Sequence, residues 1–119
     1  MSTKFSMTRD INGYNGFGIL PSTDIQRSTL AANTAQSFTV PTNYPNWMAI
    51  FATTPGVDIW VDFTGAAATL PGSSFASSTC VLNPSGRQVK AGGSISIITA
   101  AATNPSVCVE FQIIAPYQN

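Results

Sequence analysis

The clearest alternation of apolar and polar positions lies in residues 47–63, WMAIFATTPGVDIWVDF. Val57, Ile59, Val61 and Phe63 alternate with Asp58, Trp60 and Asp62. This is the two-residue period of a strand with one face in a core and the other turned outward. Before it, Trp47, Ala49 and Phe51 interleave with Met48, Ile50 and Ala52, so both faces are apolar, as in a central strand covered on both sides. Pro55-Gly56 between the two runs offers a preset φ and a residue free to take φ > 0. The pattern therefore predicts a central hairpin on which the rest of the chain is built.

Shorter runs of the same period follow along the chain. Strands are expected over 26–32 and 36–40, the latter with Phe38 and Val40 on one face. Pro41 and Pro45 bracket a loop that holds Tyr44, because proline cannot donate to a ladder and keeps its predecessor extended. The stretch GAAATLPGSSFASS is a small-residue connection suited to crossing from one sheet to another. A short strand over 79–82 ends at Asn83-Pro84-Ser85-Gly86, with proline at the second turn position. Residues 87–90 follow as an edge, where charges discourage edge-to-edge pairing. Gly92-Gly93 and Asn104-Pro105 mark further turns. Between and after them lie a strand over 94–100, with Ile95 and Ile97 inward and Ser94 and Ser96 outward, and one over 106–114, with Val107, Val109, Phe111 and Ile113 on one face. About seven or eight strands at roughly ten-residue spacing predict an all-β, antiparallel β-sandwich of jelly-roll-like form.

Residues 1–25 break this rhythm. Phe5, Met7, Ile11, Tyr14, Phe17, Ile19 and Leu20 are spread among glycines, asparagines and serines with neither period. A solvated disordered tail would be poor in aromatics and rich in charge. An extended N-terminal arm is expected, distinct from a sandwich domain over 26–119. Its apolar side chains would lie on a neighbouring molecule or fold back over the domain's own open edge.

Composition sharpens the reading. In 119 residues only 8% are charged, five Lys plus Arg against five Asp plus Glu. The usual charged share is about 25%, so little protects this surface against association. Without a basic cluster, nucleic-acid binding through the phosphate backbone has no support. No apolar run approaches the roughly 20 residues of a membrane-spanning helix. The start, MSTKFSMTRD, lacks an apolar h-region, so synthesis in a cytoplasm is expected. Cys80 and Cys108 both fall in predicted strands and are expected as free buried thiols.

Reactive chemistry is sparse. The chain has no His, the usual base of hydrolytic triads and a frequent metal ligand. Asp58 and Asp62, four residues apart on a strand, would stand roughly 13 Å from each other. Paired glycosidase carboxylates are about 5 to 9.5 Å apart. A cation site there would need loop carbonyls or Glu110 nearby, and a solvated outer face is expected instead. Trp60 between these aspartates, beside Trp47 and Tyr44 in neighbouring segments, suits a sugar platform, an anchor between subunits, or a core covered by the second sheet or the arm. Tyr44, Asp58, Trp60, Asp62 and the edge residue Arg87 thus form the candidate interface or ligand face. Catalytic residues, metals and cofactors are not expected.

The succession AIFAT, VDIWVDFTGAAA, VLNPSGR, GSISIIT and VCVEFQ, within residues 40–112, resembles small virion proteins of tailed bacteriophages, including capsid decoration or head-cementing proteins. The strand order and the Leu-Asn-Pro-x-Gly-Arg turn at Leu82 to Arg87 carry the likeness. It implies a non-enzymatic β-sandwich on the capsid exterior, commonly a trimer, whose partner is the major capsid protein. A host-glycan or receptor-binding module and a tail or connector component stay open as alternatives.

Overall fold

A computed structural model describes residues 2–4, 21–71 and 78–114. Among them the chain forms eight strands and no helix: β1 (Asp24–Thr29), β2 (Gln36–Thr39), β3 (Asn46–Thr53), β4 (Trp60–Asp62), β5 (Cys80–Leu82), β6 (Gly86–Lys90), β7 (Ser94–Ile98) and β8 (Ser106–Ile113). They build two four-stranded antiparallel sheets, ordered β1-β8-β3-β6 and β2-β7-β4-β5. The all-β sandwich expected from the alternation is the observed fold, and this strand order is that of a jelly roll. Every connection except β4 to β5 carries the chain from one sheet to the other.

The alternation places the core as it should. Val107, Val109, Phe111 and Ile113 of β8 face Ile95 and Ile97 of β7 and Val61 of β4, all buried. Trp47 is wholly enclosed and meets Phe111 edge to face, with centroids 6.4 Å apart. Its indole N–H donates to the Tyr44 carbonyl (3.0 Å), so the one polar atom of the ring is satisfied. Burial of such side chains stabilises the fold by about 1.5–3 kcal/mol each.

The central hairpin is not formed. β3 pairs with β8 and β6, while β4 pairs with β5 and β7 in the opposite sheet. The Pro55-Gly56 turn, with Gly56 at φ 82°, is instead the corner of a crossover. Beyond that corner Ile59 is buried and Val57 packs half-buried on the core, so the apolar alternation begins before β4 does. The small-residue connection after β4 also departs from expectation, because it returns to the same sheet. Within it the Ala68 N–H donates to Ser96 Oγ (2.8 Å). Ser96, expected outward, is outward but buried.

The N-terminal boundary differs as well. β1 starts at Asp24, inside the stretch assigned to the arm. Just before it, Ser22 donates its N–H to Glu110 Oε1 (2.9 Å) and its hydroxyl to the Phe111 carbonyl. Residues 2–4 dock on the same strand: the Thr3 carbonyl accepts from the Ile113 N–H (2.7 Å), and Lys4 makes a parallel bridge to Ile113. Thr3 Oγ1 donates to the Pro21 carbonyl (3.2 Å). Both ends of the segment between them are thus anchored on β8 of this chain.

Candidate interaction surface

The predicted arm residues Phe5, Met7, Ile11, Tyr14, Phe17, Ile19 and Leu20 lie outside the described residues. The second predicted group does not converge. Tyr44 is 41% exposed and stacks its edge on Trp47 at 6.1 Å, at the start of β3. Trp47 itself belongs to the core, as its place on a covered central strand implies, and so is not beside Trp60 on an outer face. Trp60 sits in the other sheet, half-buried, in one cross-strand row with Ile98 and Leu82. Leu82 ends that row and is 46% exposed.

Asp58 and Asp62 part company too. Asp58 precedes β4 in the crossover and is exposed, its carboxylate accepting from Asn83 Nδ2 (2.9 Å). Asn83 holds this corner by its backbone geometry, at φ 45°, with its Oδ1 accepting from the Ile59 N–H (2.8 Å). Asparagine tolerates that left-handed conformation better than most residues.

Asp62 is only 3% exposed, which corrects the solvated outer face expected for it. Its Oδ1 accepts from the N–H and hydroxyl of Thr64, and its Oδ2 from Thr79 Oγ1 (2.7 Å), with Cys80 Sγ at 4.0 Å. Burial pushes this carboxyl up, but the donors of Thr64 and Thr79 outweigh it and hold the pKa below the usual carboxylate value. The carboxylate ties the two ends of the β4–β5 connection to the sheet. A Trp60 platform between two displayed carboxylates is therefore not formed. Among the described residues no three acidic, cysteine or histidine side chains gather into a cation site. Sequence reasoning missed this tether, although Asp62, Thr64 and Thr79 are the residue types that make one.

Cys80 and Cys108 are free, as expected, but half-buried rather than buried. Both point to outer faces: Cys80 is paired with Asp62, and Cys108 lies between Arg27 and Ala52. Cys108 lines a hollow of about 520 Å³ with Arg27, Ala52, Thr54 and Ser106.

Arg87 lies on β6, at the edge of its sheet as predicted. Among the described residues this side of the sandwich is open. β5 has only three residues, paired with Trp60–Asp62. Phe51, Val57, Phe63 and Val89 pack on the core yet remain half-buried. Phe51 and Phe63 meet edge to face at 5.8 Å. Each lines a separate hollow: one of about 320 Å³ with Val57, Ile59 and Pro84, and one of about 260 Å³ with Val89, Lys90 and Ile95. The apolar surface that sequence reasoning sought around Trp60 is thus found along this side. No family model, curated protein or solved structure matches the chain.

Proposed function

We propose that this chain is a non-enzymatic virion structural protein of the capsid-decoration type. Copies associate, as a trimer on the family likeness, and bind the lattice of the major capsid protein on the outside of the head. The observation that carries the reading is the open β5–β6 side: large apolar side chains left half-buried on a jelly roll with 8% charged residues. Such a surface favours association over solvation. The resemblance of residues 40–112 to phage virion proteins supplies the partner class, and jelly rolls are a common capsid architecture. Many modest contacts repeated on a symmetric shell add up through multivalency, so no single contact needs high affinity.

The test is reconstitution. Purified protein is mixed with phage heads lacking it, and the heads are sedimented and imaged. Saturable occupancy at symmetry-related sites, with heads that resist heat and low salt better than bare ones, is the expected result. Heads that take up no protein under conditions where the protein is folded would overturn the reading.

A further inference from the structure

We propose that the outer face of β1, β8 and β3 carries a binding site for a sugar acid, a single ring bearing one carboxylate. The site lies away from the open β5–β6 side and is independent of the decoration reading.

Two cross-strand rows build it. The register sets Arg27, Cys108 and Ala52 side by side across β1, β8 and β3. Thr29 and Ser106 form the next row. Thr54 joins it, its N–H donating to the Ser106 carbonyl (3.1 Å) and its hydroxyl accepting from the Ser106 N–H (3.0 Å). Both rows lie on the face opposite the core, because the alternate residues Val107 and Val109 of β8 are the ones buried inside. The rows are roughly 7 Å apart and the two flanking strands roughly 10 Å apart, a patch the size of one sugar ring. Small side chains at its centre, Cys108 and Ala52, leave a hollow of about 520 Å³ beside Arg27. That volume lies in the range of small-molecule sites and exceeds what a bare inorganic ion fills.

The chemistry of the lining selects the ligand. Arg27 is exposed, and among the described residues nothing accepts from its guanidinium. Glu110 is one row away and turned along β8 from the hollow, its Oε1 accepting from the Ser22 N–H (2.9 Å) and from Gln112 Nε2 (3.5 Å). The free guanidinium fork matches a carboxylate in bidentate geometry. In the other row the hydroxyls of Thr29 and Ser106 have no described partner, and that of Thr54 keeps its hydrogen to donate. Groups that both donate and accept suit the hydroxyls of a sugar. Between the two rows, Cys108 and Ala52 offer a weakly polar floor to the C–H face of the ring. A simple alkyl acid leaves the hydroxyl row unused, and a neutral sugar leaves the guanidinium unused.

The experiment titrates the ¹⁵N-labelled full-length protein with sodium glucuronate, glucose and sodium propionate at constant ionic strength. Glucuronate should give saturable shifts confined to residues 27–29, 52–54 and 106–108. Glucose and propionate should each bind at least about tenfold more weakly. Arg27→Gln should weaken glucuronate binding at least about tenfold, with the remaining amide shifts unchanged. Ala52→Leu, which fills the hollow and keeps the guanidinium, should lose binding as well. If either variant does not fold, Thr29→Val is read in its place for a smaller loss. The site is overturned by an absence of shifts at these residues in tens of millimolar glucuronate. Glucose or propionate binding as tightly as glucuronate, or binding that Arg27→Gln leaves unchanged, overturns it equally.

Discussion

The two long sides of this sandwich are closed in different ways. On the β1–β2 side, Gln26 of β1, opposite Val109 and turned to the core side, reaches the Thr39 carbonyl of β2 at 2.7 Å and stitches the sheets together. Leu30 and Phe38 behind it are buried. On the β5–β6 side no described polar side chain spans the gap between the two edge strands, and four large apolar residues stay half-buried. The difference follows from where a polar side chain can bridge. A fold can thus leave one flank of its core ready for a partner without exposing the core itself.

The largest expected effect breaks the comparison at its centre. Trp47→Ala removes a fully enclosed ring and should cost about 3–5 kcal/mol in denaturant unfolding. Phe63→Ala on the open side should cost distinctly less, about 1–2 kcal/mol, because part of its surface is already in water. Equal losses would mean that the open side is as sealed as the core.

Next comes the tether on the outer face. Asp62→Asn replaces one of the two oxygens that accept from Thr64 and Thr79 by a donor and should cost about 1–3 kcal/mol at neutral pH. Since the native carboxyl is held below its ordinary value, its contribution is fully present above the unfolded-chain value of about 4 and fades as pH falls through the lower native one. Urea melts at a series of pH values should show wild type and variant converging in acid. A gap that stays constant to low pH would remove Asp62 from the account.

Smaller effects follow on the two flanks. Gln26→Ala should destabilise by about 1 kcal/mol and raise amide exchange at the β1 and β2 edges. Arg87→Gln should stay within about 0.5 kcal/mol of wild type, since its described polar contact is to its neighbour's carbonyl. A large loss of stability there would assign Arg87 a structural role.

Much of the fold was legible in the chain. Alternation in 106–114 and 94–100 placed Val107, Val109, Phe111, Ile95 and Ile97 inward, and all are buried. Pairing was not legible, because Pro55-Gly56 and Gly92-Gly93 mark where a strand ends and carry no information on which sheet comes next. In a jelly roll nearly every such corner is a crossover, so local turn chemistry names the boundary and long-range packing names the partner. The surface was harder still. Ser96 and Asp62 read as outward from their period and are outward, but a connection that folds over them decides their burial. The half-burial of Phe51, Val57, Phe63 and Val89 depends on how the two sheets meet, a relation between strands that no single window contains.

Amide hydrogen exchange of the protein, free and bound to phage heads, tests the central claim most directly. Protection gained along β6, with the β1–β2 side unchanged, is the predicted result. Protection confined to the β1–β2 side, or no change along β6 in particles that carry the protein, would contradict it.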